Sequence, residues 1–263
     1  MKTPSTLPLA LLFLGFFMGP STHAQLLLPA ITLANSALPA VTVNLNGILK
    51  NVLPTPFLVS DLTLPLSAQW FCLDPLQPIY HAGSGEPAGN SLHFGSTNPA
   101  NFDLWGANAP GLSGARVQDL ADLFRAYLPV SNTSLSLGSL QLAVWEIANE
   151  GNANAYALAG GYFTVSPFNG SGAAGMIAMA NAMIASLGDV GIKNLGDVAS
   201  LDFLIDGSYQ RNGTTNTVLV QDLVGFTPVP EPSTYGLAAA GLLGAIVGYR
   251  RFRSHRHAAL SPV

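Results

Sequence analysis

The sequence holds a single cysteine, Cys72, within Trp70-Phe71-Cys72-Leu73-Asp74. A lone thiol either packs as a small hydrophobe or acts as a nucleophile. As a nucleophile it needs a base, and His81 or His93 would complete a cysteine-hydrolase dyad. Both histidines fall in a glycine-rich stretch with no recognisable local signature. The second residue that stands out is Gln141, in Leu140-Gln141-Leu142-Ala143-Val144-Trp145. A carboxamide inside an apolar helical stretch is costly to bury without partners, so Gln141 either completes a buried network or has a chemical role. Gln141 and Trp145 are four residues apart and share a helix face. Asp74, Asp103 and Asp119 are candidate calcium ligands, but their spacing is unlike an EF-hand loop. No P-loop, dinucleotide fingerprint or zinc spacing occurs, and one cysteine excludes a disulfide framework or a multi-cysteine metal site. No cofactor and no metal are expected.

Phe71-Cys72-Leu73 together with Leu140-Gln141-Leu142-Ala143-Val144-Trp145 resembles the thioester domains of bacterial surface proteins. Those domains carry a cysteine between an aromatic or leucine residue and a hydrophobic one. Much later comes a glutamine flanked by hydrophobic residues, often with tryptophan after it. The resemblance is confined to these two segments. It implies an internal thioester between Cys72 and Gln141; such a bond must be kept from water, and the bulky apolar Trp70, Phe71 and Trp145 are suited to shield it. It also implies attachment to an amine nucleophile, regenerating an amide at Gln141 and a thiol at Cys72. Such a protein reacts once and does not turn over, so it is not an enzyme.

The ends of the chain carry a different message. Met1-Lys2, the apolar run Leu7–Met18 and the small residues up to Ala24 read as a secretory signal peptide, residues 1–24, cleaved after Ala24. Ser233–Tyr249 has no charge, and at 1.5 Å per residue it spans ~25 Å, near the lower limit for a transmembrane helix. Val229-Pro230-Glu231-Pro232 precedes it, and Arg250, Arg251, Arg253 and Arg256 follow. Proline on both sides of Glu231 makes a stiff, extended stretch, and the arginines favour the cytoplasmic side. Residues 229–256 resemble the PEP-CTERM sorting signal. That resemblance implies recognition by exosortase, transient residence in the inner membrane, and delivery to the cell surface or extracellular matrix.

The part between, residues 25–228, must form the fold that positions Cys72 and Gln141. Its basic residues are Lys50, Arg116, Arg125, Lys193 and Arg211, outnumbered by acidic ones, which argues against nucleic acid as a partner. The whole chain is 49% hydrophobic and 9% charged, against roughly a quarter charged in an ordinary soluble domain, which excludes disorder as its main state. Leu28–Leu33 recurs as Leu38–Val43, too few copies for a solenoid, and reads as two strands or an extended leader. Strand is expected over Leu58–Trp70, and loop over 81–114 with Trp105 as an anchor. Helical periods run over Ala115–Leu128, Ser136–Asn149 and Ala173–Leu187, with Pro129, Gly151 and Gly188 as stops. Strand returns at Leu201–Asp206 and Thr217–Val220. Strands, then helices, then strands give an α+β domain with three or so helices.

The residues therefore point to an exported surface or matrix protein with a Cys72–Gln141 thioester, its partner an amine-bearing surface or matrix polymer. The alternatives are an unreactive structural matrix or biofilm protein of the same sorting class, and a cysteine hydrolase.

Overall fold

The three helical periods become three helices, each with a local reason for its ends. Helix α1, Gly114–Tyr127, starts at Ser113, whose hydroxyl accepts the Arg116 N–H at 3.4 Å. It gives way to a single 3-10 turn, Leu128–Val130, where Pro129 cannot supply a helical N–H. Helix α2, Ser134–Asn149, opens with a capping box in which Thr133 and Ser136 satisfy each other's backbone N–H groups. From Gly138 to Asn149 every residue of α2 is buried, as befits a helix apolar on most sides. Helix α3, Ala174–Ser186, packs on it. Gly138 permits the close approach: a Cβ there would stand 2.6 Å from Met176 Sδ. Next to it, Ser139 Oγ donates to the Met176 carbonyl at 3.0 Å.

The computed structural model describes residues 26–28, 31–33, 38–59, 69–77, 91–102, 112–150, 156–169, 172–211, 214–219 and 221–227, with a few positions between 240 and 249. Its strands are β1 Leu26–Leu28, β2 Ile31–Leu33, β3 Val41–Leu45, β4 Ile48–Val52, β5 Phe57–Val59, β6 Gln69–Cys72, β7 Ser91–Ser96, β8 Phe163–Pro167, β9 Leu201–Arg211, β10 Thr214–Leu219 and β11 Leu223–Phe226. The larger sheet runs β1-β7-β9-β11-β6-β5-β2, with β10 paired to β9, and a smaller one runs β4-β3-β8. The fold is α+β, as its order of elements implies. The repeated segments supply β2 and β3, equivalent strands in separate sheets. In β3, Val41, Val43 and Leu45 are buried and alternate with half-buried Thr42 and Asn44. Asn46-Gly47, both left-handed at φ 49° and 88°, turns the chain from β3 into β4.

Two expectations change. Leu58–Trp70 is not one strand, because Phe57 pairs with Trp70 antiparallel and the chain must reverse between β5 and β6. The expected loop over 81–114 contains β7, which bridges β1 and β9. Its alternation of Leu92 and Phe94 with polar neighbours is short and lies within a Gly/Asn/Ser/Pro-rich stretch.

The core lies between the larger sheet and α1–α2. Phe124 of α1 meets Phe71 of β6 at 5.0 Å and Phe226 of β11 at 5.9 Å between ring centroids. Among the described residues no helix is long and apolar enough to cross a membrane. The described positions at 240–249 are helical, with Leu242, Leu243 and Ile246 exposed. Residues 1–24, Pro230, Glu231, Pro232, Arg250, Arg251, His81, Asp103, Trp105 and Gly151 lie outside the described residues.

Candidate functional site

Cys72 ends β6, between β11 on one side and β5 on the other. In an antiparallel ladder, alternate residues bond to opposite neighbours. The Leu73 N–H donates to the Asp222 carbonyl at 2.8 Å, so Leu73 bonds toward β11 and Cys72 toward the β5 edge. On that edge the ladder stops. β5 begins at Phe57, opposite Trp70, and upstream lies Pro54-Thr55-Pro56. Pro56 has no N–H, and the Thr55 N–H donates to the Leu53 carbonyl at 2.9 Å. The amide groups of Cys72 are thus left without a strand partner at a buried position.

Gln141 of α2 takes that place. The Cys72 N–H donates to Gln141 Oε1 at 3.0 Å, and Gln141 Nε2 donates to the Cys72 carbonyl at 2.9 Å. Gln141 is fully buried. Its carboxamide has the donor and acceptor of a peptide group and so extends the ladder by one pair. The structure brings together the two residues the sequence singles out.

The sulfur has a partner that the sequence did not disclose. Cys72 Sγ donates to Gln221 Oε1 at 2.7 Å, and Gln221 Nε2 donates to the Asp74 carbonyl at 2.6 Å. Gln221 stands just before β11, one strand from Cys72. A polar pair, Gln221-Asp222, ahead of a fully buried strand was the available signal. Asn149 was also missed: its Nδ2 donates to the Leu73 and Trp145 carbonyls at 2.7 and 2.8 Å, tying the end of α2 to the segment after Cys72.

A cavity of about 220 Å³ lies beside the sulfur, lined by Lys50, Leu53, Cys72, Gln77, Trp145 and Gln221 among others. Trp145, one helical turn beyond Gln141, walls it. Trp70 and Phe71 are buried in the core but do not line it; Phe71 packs on Phe124 instead. Burial pushes the Cys72 thiol well above its usual pKa, and the charge of Asp74 pushes the same way. Asp74 Oδ1 accepts the Leu76 N–H at 2.7 Å. Lys50 donates to the Leu76 carbonyl; burial lowers its pKa, opposed by Asp74. The resting sulfur is therefore a neutral thiol in a mostly apolar setting.

Of the other candidate residues, the described His93 and Asp119 do not lie beside Cys72. His93 lies on β7, and β9 and β11 intervene before β6, about 14 Å at ~4.8 Å per strand. Asp119, on α1, accepts from the Tyr156 hydroxyl at 2.8 Å, and burial raises its pKa. Among the described residues no group of three His, Cys, Asp or Glu side chains could hold a metal ion.

Comparison with known proteins bears on the other end of the chain. No curated protein and no solved structure matches it. Residues 228–251 match the PEP-CTERM protein-sorting motif, spanning Pro230-Glu231-Pro232, the apolar stretch and Arg250-Arg251. This match supports the class of exosortase-sorted exported proteins, which pass through a membrane-associated intermediate.

Proposed function

We propose that this exported protein closes an internal thioester between Cys72 Sγ and Gln141 Cδ and uses it once, to attach to an amine-bearing polymer of the cell surface or extracellular matrix. The observation that carries the reading is the grip of the Cys72 main chain on the Gln141 carboxamide, at 3.0 and 2.9 Å. Closure forms the Sγ–Cδ bond and breaks Cδ–Nε2. The thiol proton leaves with the nitrogen as ammonia. The oxygen that gains charge in the tetrahedral intermediate is Oε1, and the Cys72 N–H already faces it. The fold holds the carboxamide against the Cys72 main chain, so an attack by the sulfur of the same residue would be intramolecular rather than between separate molecules. Cys72 and Gln141 are 2% and 0% exposed, which restricts the approach of water to the bond. Burial keeps the Cys72 sulfur as a thiol, so its proton must leave as the bond forms.

The same two hydrogen bonds favour a second reading. They satisfy both ends of Gln141 and both amide groups of Cys72, which suffices for an unreactive structural matrix protein with Gln141 as a core residue. Thiol labelling separates the two. Unfolded briefly in iodoacetamide, wild type should stay unlabelled at Cys72 and Gln141→Ala should label fully. Pre-treatment with methylamine should free the wild-type thiol and leave an adduct mapped to Gln141. Equal labelling of both untreated proteins would sink the thioester and leave the structural reading untouched.

A further inference from the structure

Gln221 is oriented toward the sulfur by two hydrogen bonds at once. Its Nε2 is committed to the Asp74 carbonyl at 2.6 Å, which fixes Oε1 at 2.7 Å from Cys72 Sγ. Gln221 and Cys72 line the same 220 Å³ cavity, which reaches the surface at half-buried Lys50 and exposed Leu53. As a free thiol, Cys72 supplies the proton that Oε1 accepts. An acylated sulfur has no hydrogen, so closing the thioester would strip Gln221 Oε1 of its donor while the Asp74 carbonyl still holds it in place. A buried acceptor without a donor costs about 1–3 kcal/mol and seeks the next N–H or O–H to enter.

We propose that Gln221 is the docking residue for the attacking amine, with this cavity as its port; the inference rests on the thioester reading. An amine in the cavity donates one N–H to Gln221 Oε1, which sets its nitrogen beside the acylated sulfur; Gln141 does not line the cavity, so its Cδ is reached past that sulfur. The nitrogen attacks Gln141 Cδ, the Cδ–Sγ bond breaks, and the second amine proton passes to the sulfur. The restored S–H donates again to Gln221 Oε1, as in the unacylated state. Oε1 thus accepts from the thiol before closure, from the nucleophile during capture, and from the thiol afterwards.

The test is the rate at which the exported protein regains mass in methylamine, followed across amine concentrations in wild type, Gln221→Met and Gln221→Leu. Met keeps the length of the side chain and loses the oxygen; Leu is the second variant should Met disturb packing. The wild-type rate should saturate with amine. The variants should carry the same ammonia deficit yet react roughly tenfold slower at low amine, with saturation lost, a change equivalent to one hydrogen bond of about 1.4 kcal/mol. A purely structural role would leave the saturating concentration unmoved. Rates and saturation equal to wild type in both variants would overturn the role of Gln221 and leave the thioester standing. Loss of the deficit in both variants would also overturn it, making Gln221 a residue of closure. A wild type with no deficit would bring down the thioester reading and this inference with it.

Discussion

Gln141 has a structural job before it reacts, because closure expels the Nε2 that donates to the Cys72 carbonyl. Removing its side chain leaves the Cys72 N–H and carbonyl buried with no ladder partner. Gln141→Ala should lower unfolding free energy by about 2–6 kcal/mol, since each of the two stranded groups costs roughly 1–3 kcal/mol, and a urea midpoint measures it. A loss under 0.5 kcal/mol would show that the carboxamide does not complete the sheet. Glu146, also on α2, gives a pH signature of its own. Burial raises its pKa from 4.5 to about 8, opposed by its hydrogen bond from the Ala157 N–H at 2.6 Å and aided by the charge of Glu150. The folded chain holds that proton where the unfolded chain releases it. This contribution is full below about pH 4.5 and is lost as pH rises through 8, at up to roughly 1.4 kcal/mol per unit. Glu146→Gln keeps the acceptor for Ala157 and should flatten thermal stability between pH 5 and 8; an unchanged slope would remove Glu146 as the cause.

At the scale of elements, α2 is the organiser. It carries Gln141, Trp145 and Asn149 to the end of β6 and meets α3 across Gly138. Gly138→Leu should destabilise by about 1–3 kcal/mol or more, because the new side chain starts inside contact distance of Met176; circular dichroism melting reads the effect. A neutral substitution would mean that Met176 swings aside or the two helices separate at no cost. The helices were legible because a 3.6-residue period persists over many residues and Pro129 marks a stop. The sheets were less so. Strands of three to six residues such as β4, β8 and β11 give too few alternations to stand out, and β11 is buried at every position, so it does not alternate at all. The Cys72–Gln141 pair was visible because a lone cysteine and a carboxamide in an apolar helix are chemically odd. Gln221 was not, because only the pairing of β6 with β11 brings a residue so distant in sequence to the sulfur.

For the whole molecule, the PEP-CTERM motif at 228–251 and the apolar Leu7–Met18 run frame a domain poor in basic residues. Signal-peptide cleavage and exosortase sorting should between them remove both ends. Protein recovered from outside the inner membrane should begin near Gln25 and lack Arg250 and Arg251. An intact C-terminus there, found by terminal sequencing, would contradict that route. The central claim, that the folded domain joins Cys72 to Gln141, is tested most directly by the intact mass of the freshly folded exported protein. Wild type should weigh one ammonia less than its processed sequence, and Cys72→Ala should carry the full mass. A wild type at full sequence mass, unchanged by methylamine, would contradict the thioester and leave Gln141 as the residue that completes the edge of the sheet.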